Sequence, residues 1–237
     1  MISIIIPVLN ESKGIRKLID HLYANAFGYI GEIIVVDGGS TDDIKAELFG
    51  YPNVRYIRSG QGRAKQMNAG AIVAKRSILY FLHADSFPPK YFDRAIFEIL
   101  LVNDNIEAGS FMLRFDNDHW WLKLMGWATR INHSACRGGD QSLFVNRGLF
   151  FALNGFDEHY EIYEDMELIK RLYQATTFKM IKEPIITSAR HYEKIGVWRL
   201  QWLHLRIYLK RWGGAGAEEL NSFYRERVKE VKLLNRD

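Results

Sequence analysis

The chain of 237 residues has one cysteine, Cys136, so no disulfide can form within it and a reducing compartment is its natural setting. It has five prolines and no Pro-, Gly- or Ser-rich stretch that would read as a linker, which favours one compact domain. No uncharged apolar run approaches the roughly 18 residues needed to span a bilayer. The opening MISIIIPVLNE lacks a basic lead and a small-residue cleavage site, and Pro7 and Asn10 interrupt it too early for a secretory signal. A basic body is missing as well. Residues 196–237 hold nine Lys and Arg against five Asp and Glu, which accounts for the whole net charge of +4 and leaves 1–195 neutral. That argues against nucleic acid as a partner. There is no G-x-G-x-x-G after the first apolar run and no G-x-x-x-x-G-K-[ST], so the usual dinucleotide and P-loop cradles are excluded.

What is present is an alternation of strands and helices. SIIIPV and EIIVVD are continuous β-branched runs, the pattern of strands buried on both faces. Ile15, Leu18, Ile19, Leu22, Tyr23 and Ala26 line one helical face between them. A short helix is expected near 41–49, a strand in NVRYIRS, a helix over 61–75 and a strand in ILYFLHAD. This rhythm predicts right-handed crossovers and a parallel sheet. After about residue 105 it becomes mixed. EAGSFMLRF and QSLFVNR read as strands, HWWLKLMGWATRI as an aromatic helix, and a further helix opens at YEDMELIKRLY.

Ligands of open α/β sheets bind beyond the carboxyl ends of the strands. Four such ends are polar or glycine-rich here: Pro7 to Glu11, Asp37 to Asp43, GQGRAKQMNAG, and His83-Ala84-Asp85. Carboxylates prefer hard cations, and Mg²⁺ or Mn²⁺ is commonly held by one or two of them plus substrate phosphates. Asp37 and Asp85 beside Arg63 and Lys65 therefore suggest a metal–diphosphate site, with the two cations on phosphate oxygens. Each feature also has a plain structural reading: Ser40, Thr41 or Asp42 as helix caps, Glu164 and Asp165 as acids at a helix start, Gly138 and Gly139 as an ordinary turn.

SIIIPVLNE, VVDGGSTDD, GRAKQMNAG, LHAD, GGDQSLFVNR, LNGFDE and YEDMELIKRL occur in this order. Together they resemble family 2 glycosyltransferases over about residues 1–195, within a small bacterial group having an LHAD strand end and a GGDQ loop. The resemblance implies an α/β fold of the GT-A type. Its Rossmann-like, mostly parallel sheet is flanked by helices, with a mixed C-terminal half and an amphipathic extension over 196–237. It implies an inverting, hexosyltransferase-like enzyme that uses Mn²⁺ or Mg²⁺ and a nucleotide-diphosphate-sugar, UDP before GDP. Pro7, Asn10, Glu11, Asp37, Arg63, Lys65 and His83 then fall to the nucleotide, with Asp37 on the base. Asp85 falls to the metal, with His191 as a further ligand. Asp165 would be the acceptor-activating base, and Gly139, Asp140, Gln141 and Glu164 lie acceptor-side. His83 stands where the family's D-x-D motif has its first acid. That departure keeps open a non-catalytic nucleotide-sugar binder or membrane adaptor; a sugar nucleotidyltransferase fits less well.

In GVWRLQWLHLRIYLKRWGG, Trp198, Trp202, Leu205, Leu209 and Trp212 share one narrow face, with Arg199, Arg206 and Lys210 about 100° away. This face suits either packing, against the sheet or a partner subunit, or a membrane interface. The second reading would make a lipid-linked acceptor the expectation. The location expected is cytoplasmic, peripheral to the inner membrane face if that helix meets lipid.

Overall fold

The computed structural model describes residues 1–102 and 105–234. In chain order the elements are β1 (Ile2–Val8), α1 (Ser12–Asn25), β2 (Ile30–Asp37), α2 (Ile44–Glu47), β3 (Val54–Arg58), α3 (Arg63–Val73), β4 (Ile78–Phe81), β5 (Ser86–Phe87), α4 (Phe92–Val102), β6 (Ala108–Phe115), α5 (Trp120–Ala128), β7 (Leu143–Asn146), α6 (Arg147–Ala152), α7 (Glu164–Ala175), β8 (Phe178–Thr187), α8 (Arg190–Ile195), α9 (Val197–Trp212) and α10 (Ala217–Leu234). The strands form one sheet in the order β3-β2-β1-β4-β7-β6-β8-β5. The front four are parallel, as the alternating pattern predicts. β7 runs antiparallel to both β4 and β6, β8 is parallel to β6, and β5 closes the edge antiparallel to β8. This is the expected mixed α/β sheet.

β1 shows why the apolar runs are continuous. Ile4, Ile6 and Val8 pack with Ile15, Leu18, Ile19 and Leu22 of α1 on one face of the sheet. Ile5 packs with Met67 and Ala71 of α3 on the other, where Leu168, Ile169 and Leu172 of α7 also lie. Alternate side chains point to opposite faces, so a strand covered by helices on both sides needs apolar residues throughout. Gly70 lets α3 approach closely: a Cβ there would stand 2.4 Å from Ile5 Cγ2.

A third cluster joins the C-terminal segment to the body. Leu200, Leu203 and Ile207 of α9 and Leu220 of α10 bury against Phe115, Leu122 and Tyr192. The extension is thus packed onto the domain, and residues 235–237 lie outside the described residues. The face of α9 turned inward is the Leu–Ile face; the tryptophan face points out. Packing of the Trp face against the body, one of the expectations, is therefore not what forms.

Candidate active site

Register brings the site together. Phe81, the last residue of β4, pairs with Leu143, the first of antiparallel β7. The GGDQ loop before β7 is thereby laid beside His83 after β4. On the far edge Ser86 pairs with Thr187, and Ser188 N donates to Asp85 O at 3.2 Å. The segment after β8 is thus carried to the end of LHAD. α3 and α7 share a face of the sheet, and Arg63 and Glu164 at their N-termini meet at 2.8 Å.

A cavity of about 800 Å³ opens along this edge. Of the residues expected there, it is lined by Pro7, Glu11, Arg63, Lys65, His83, Asp85, Asp140 and His191. Asp165 stands beside it: a Cβ built on Gly139 would lie 2.1 Å from Asp165 Oδ2 and 2.8 Å from His83 Cε1. Gly139 therefore brings backbone against both side chains at once, which no other residue type permits.

His83 Nδ1 lies 3.4 Å from Asp140 Oδ1. Burial works against a charged imidazole, but the hydrogen bond to Asp140 and the charges of Asp165 and Asp140 together outweigh it and raise the His83 pKa. Burial likewise opposes the Asp140 carboxylate, while the same partner holds its pKa below the ordinary value. Glu164 differs. It is 1% exposed, and loss of water pushes its pKa up to about 7 in spite of Arg63. Asn10, Ser142 and Tyr163 all take positive φ around the site, a conformation costly for non-glycine residues and concentrated where loops must aim side chains.

Besides Gly139 and Asp165, four expected residues do not line the cavity. Asp37 is buried, and its oxygens accept from Gly39 N, Ser40 N, Ser40 Oγ and Tyr56 Oη at 2.6–3.1 Å. It shapes its own loop. Asn10 Oδ1 accepts from Thr41 N and Oγ1, tying the first loop to the second. Gln141 is buried under the GGDQ turn, accepting from Arg137 Nη1 and donating to the Cys136 carbonyl. With both ends of its amide committed, it supports the loop. Glu164 is buried and paired with Arg63, and it is not part of the cavity wall.

Two residues in the site escape a reading of the sequence. Arg190 Nη2 lies 3.1 Å from Asp85 Oδ2, and the same guanidinium holds both carboxylate oxygens of Glu11, one of them from Nη1 at 2.9 Å. His204 of α9 lines the cavity, and burial lowers its pKa. The available signal was a cation just after a strand and a histidine on the inner face of an amphipathic helix.

The donor set bears on a divalent ion. Among the described residues no three His, Cys, Asp or Glu side chains gather into a metal cluster. Asp85 offers one carboxylate at the cavity wall. That fits a hard cation that draws most of its remaining ligands from substrate phosphates and water.

The sequence model of the family described as Glycosyl transferase family 2 matches residues 3–157. An uncharacterized glycosyltransferase of Mycobacterium tuberculosis is 37% identical over 90 residues, 36% of this chain and 34% of the relative. The chain thus matches about a third of that protein's length. A PGL/p-HBAD biosynthesis glycosyltransferase of the same species is 26% identical over 182 residues, 73% of this chain and 70% of the relative. Among solved structures, S. aureus TarS 1-349 in complex with UDP superposes with a TM-score of 0.66 at 18% identity, covering 79% of this chain and 60% of TarS 1-349. The same fragment in complex with UDP-GlcNAc gives the same TM-score.

Proposed function

The chain belongs to glycosyl transferase family 2, and from that premise we propose that it transfers a sugar from a nucleotide-diphosphate-sugar, with UDP as carrier, to an acceptor hydroxyl with inversion. The observation that carries this reading is the placement of Asp165 against Gly139 and His83, beside a cavity whose wall holds Arg63, Asp85 and Arg190. The bound UDP and UDP-GlcNAc of the TarS structures support the choice of carrier.

Arg63, Lys65 and Arg190 are the cations available to the diphosphate, and guanidinium groups suit phosphate oxygens. Asp85 would hold Mn²⁺ or Mg²⁺, which would supply Lewis-acid stabilisation of the leaving diphosphate. Asp165 takes the proton from the acceptor hydroxyl. The hydroxyl oxygen bonds to the anomeric carbon as the bond from that carbon to the phosphate oxygen breaks, and its electron pair leaves on the diphosphate. One carboxylate acting on the far side of the sugar gives a single displacement. Glu164 is buried, paired with Arg63 and not part of the cavity wall, so it does not compete for this role.

Thermal unfolding with UDP and GDP, each with and without Mn²⁺, tests the reading. A ligand at about 100 times its dissociation constant adds roughly 2.7 kcal/mol. For a chain of this length that is a rise of roughly 5–10 °C. Asp165→Asn should leave this shift intact and lower turnover of UDP-sugar by roughly 10²–10⁴-fold. No shift with any nucleotide–metal pair, or full turnover by Asp165→Asn, would sink the proposal.

A further inference from the structure

Tryptophan is highly buried on average in folded proteins, yet five of the six here, Trp120, Trp127, Trp198, Trp202 and Trp212, are between 56% and 88% exposed. They are not scattered. On α9, Trp198, Trp202, Leu205, Leu209 and Trp212 lie within about 80° of one another at the helical angle per residue, all on the outer face. On α5 and just after it, Trp120, Leu124, Trp127 and Ile131 repeat the spacing, and all are exposed. Trp198 joins the two stripes, with ring centroids 5.8 Å from Trp120 and 5.3 Å from Trp121. Two helices far apart in sequence thus meet through their tryptophans, and both stripes are exposed.

The two helices themselves carry charge of one sign, and the nearby acid Glu219 of α10 is paired with Lys210 at 2.7 Å. Neither 119–137 nor 194–217 contains an Asp or Glu, while Lys123, Arg130, Arg199 and Arg206 flank the stripes. Asp118, just before α5, is paired with Lys123 at 2.8 Å. An aromatic face bordered by cations matches the interface of an anionic bilayer, where Trp sits at the headgroup level and Lys and Arg meet lipid phosphates.

We infer that α5 and α9 form a docking surface for an anionic membrane. The inner face of α9 contributes Leu200, Leu203 and His204 to the wall of the site cavity. An α-helix with side chains is about 10 Å across, so docking holds the cavity within about that distance of the headgroups. That last consequence rests on the cavity being the transfer site; the docking surface itself does not.

The test is flotation of the whole chain with vesicles of phosphatidylcholine alone or mixed with phosphatidylglycerol, in low and high salt. Parallel unfolding runs with UDP and Mn²⁺ report on the cavity. The wild type should float with the anionic vesicles, less so in high salt. Trp202→Ser combined with Trp212→Ser should weaken binding roughly tenfold or more, since each change removes a large apolar side chain from lipid. The UDP response of that variant should match the wild type. A wild type that stays at the bottom of the gradient overturns the inference, as does a variant that floats equally well. Equal flotation on phosphatidylcholine overturns the anionic assignment. A wild-type dimer by light scattering that the variant turns into a non-floating monomer would make the face a contact between copies. Flotation without any nucleotide response would instead sink the proposed transferase and leave the surface standing.

Discussion

Gly139 has room for nothing larger than hydrogen, because a methyl group would meet Asp165 Oδ2 at 2.1 Å. Gly139→Ala must therefore displace the proposed base or the loop. Misplacement by about 1 Å can cost roughly 10²-fold in rate. Turnover assays should show that loss, with the UDP-dependent thermal shift retained because the diphosphate wall is elsewhere. A neighbouring carboxyl sets a pH dependence. Glu164 titrates near 7 in the fold, against an ordinary value of 4.5. Between those values the native state keeps a proton that the unfolded chain has released, so stability falls as pH rises from about 4.5 to 7 and then levels. The size is about 3 kcal/mol at full shift. Urea midpoints at pH 5 and pH 8 should differ by correspondingly less in Glu164→Gln, and an unchanged difference would show that Glu164 titrates normally.

Elements differ in how plainly the sequence announces them. β1 and β2 are legible because both of their faces are covered and nearly every residue is apolar. β8 is not: FKMIKEPIIT has Lys179, Lys182, Glu183 and Pro184, and its burial is broken by a register shift against β6. With that strand unseen, the position of the next segment is unseen too, so Arg190 could not be placed beside Asp85 from sequence. The amphipathic character of α9 was legible, but its periodicity fits either face turned inward, and only contact with Phe115, Leu122 and Tyr192 decides. Asp37 and Gln141 mark the other limit. A polar side chain at a strand end looks the same whether it awaits a ligand or holds its own loop. At the end of β8, Arg190→Ala removes a cation from the cavity and leaves Glu11 and Asp85 unpaired. Titration calorimetry in EDTA should show UDP binding weakened by roughly tenfold or more, the loss of one charge-assisted pair. Unaltered affinity would place the diphosphate away from Arg190.

For the molecule as a whole, the C-terminal helices share a hydrophobic cluster with the body and help line the cavity. Leu200, Leu203, Ile207 and Leu220 are buried in it, and fully burying such a side chain is worth about 1.5–3 kcal/mol. Together they approach the roughly 5–15 kcal/mol by which a domain is stable at all. Ending the chain after Ile195 should therefore give a protein without a cooperative thermal transition, while the whole chain melts in one. A truncated form with a sharp transition would show that residues 196–237 are an appendage.

The guanidinium that bridges Glu11 and Asp85 has a consequence in time. Arg190 lies 179 residues beyond Glu11 in the chain. At about 5–20 residues per second, a ribosome leaves Glu11 without this counter-ion for about 10–35 s and Asp85, which is made later, for about 5–20 s. The first loop and the LHAD end can be in place through that interval, with two like charges facing each other across an open groove. Closing so long a loop makes the bridge a late event in folding. The bridge between Glu11 and Asp85 thus waits until residue 190 has been made, so a chain made only halfway lacks it.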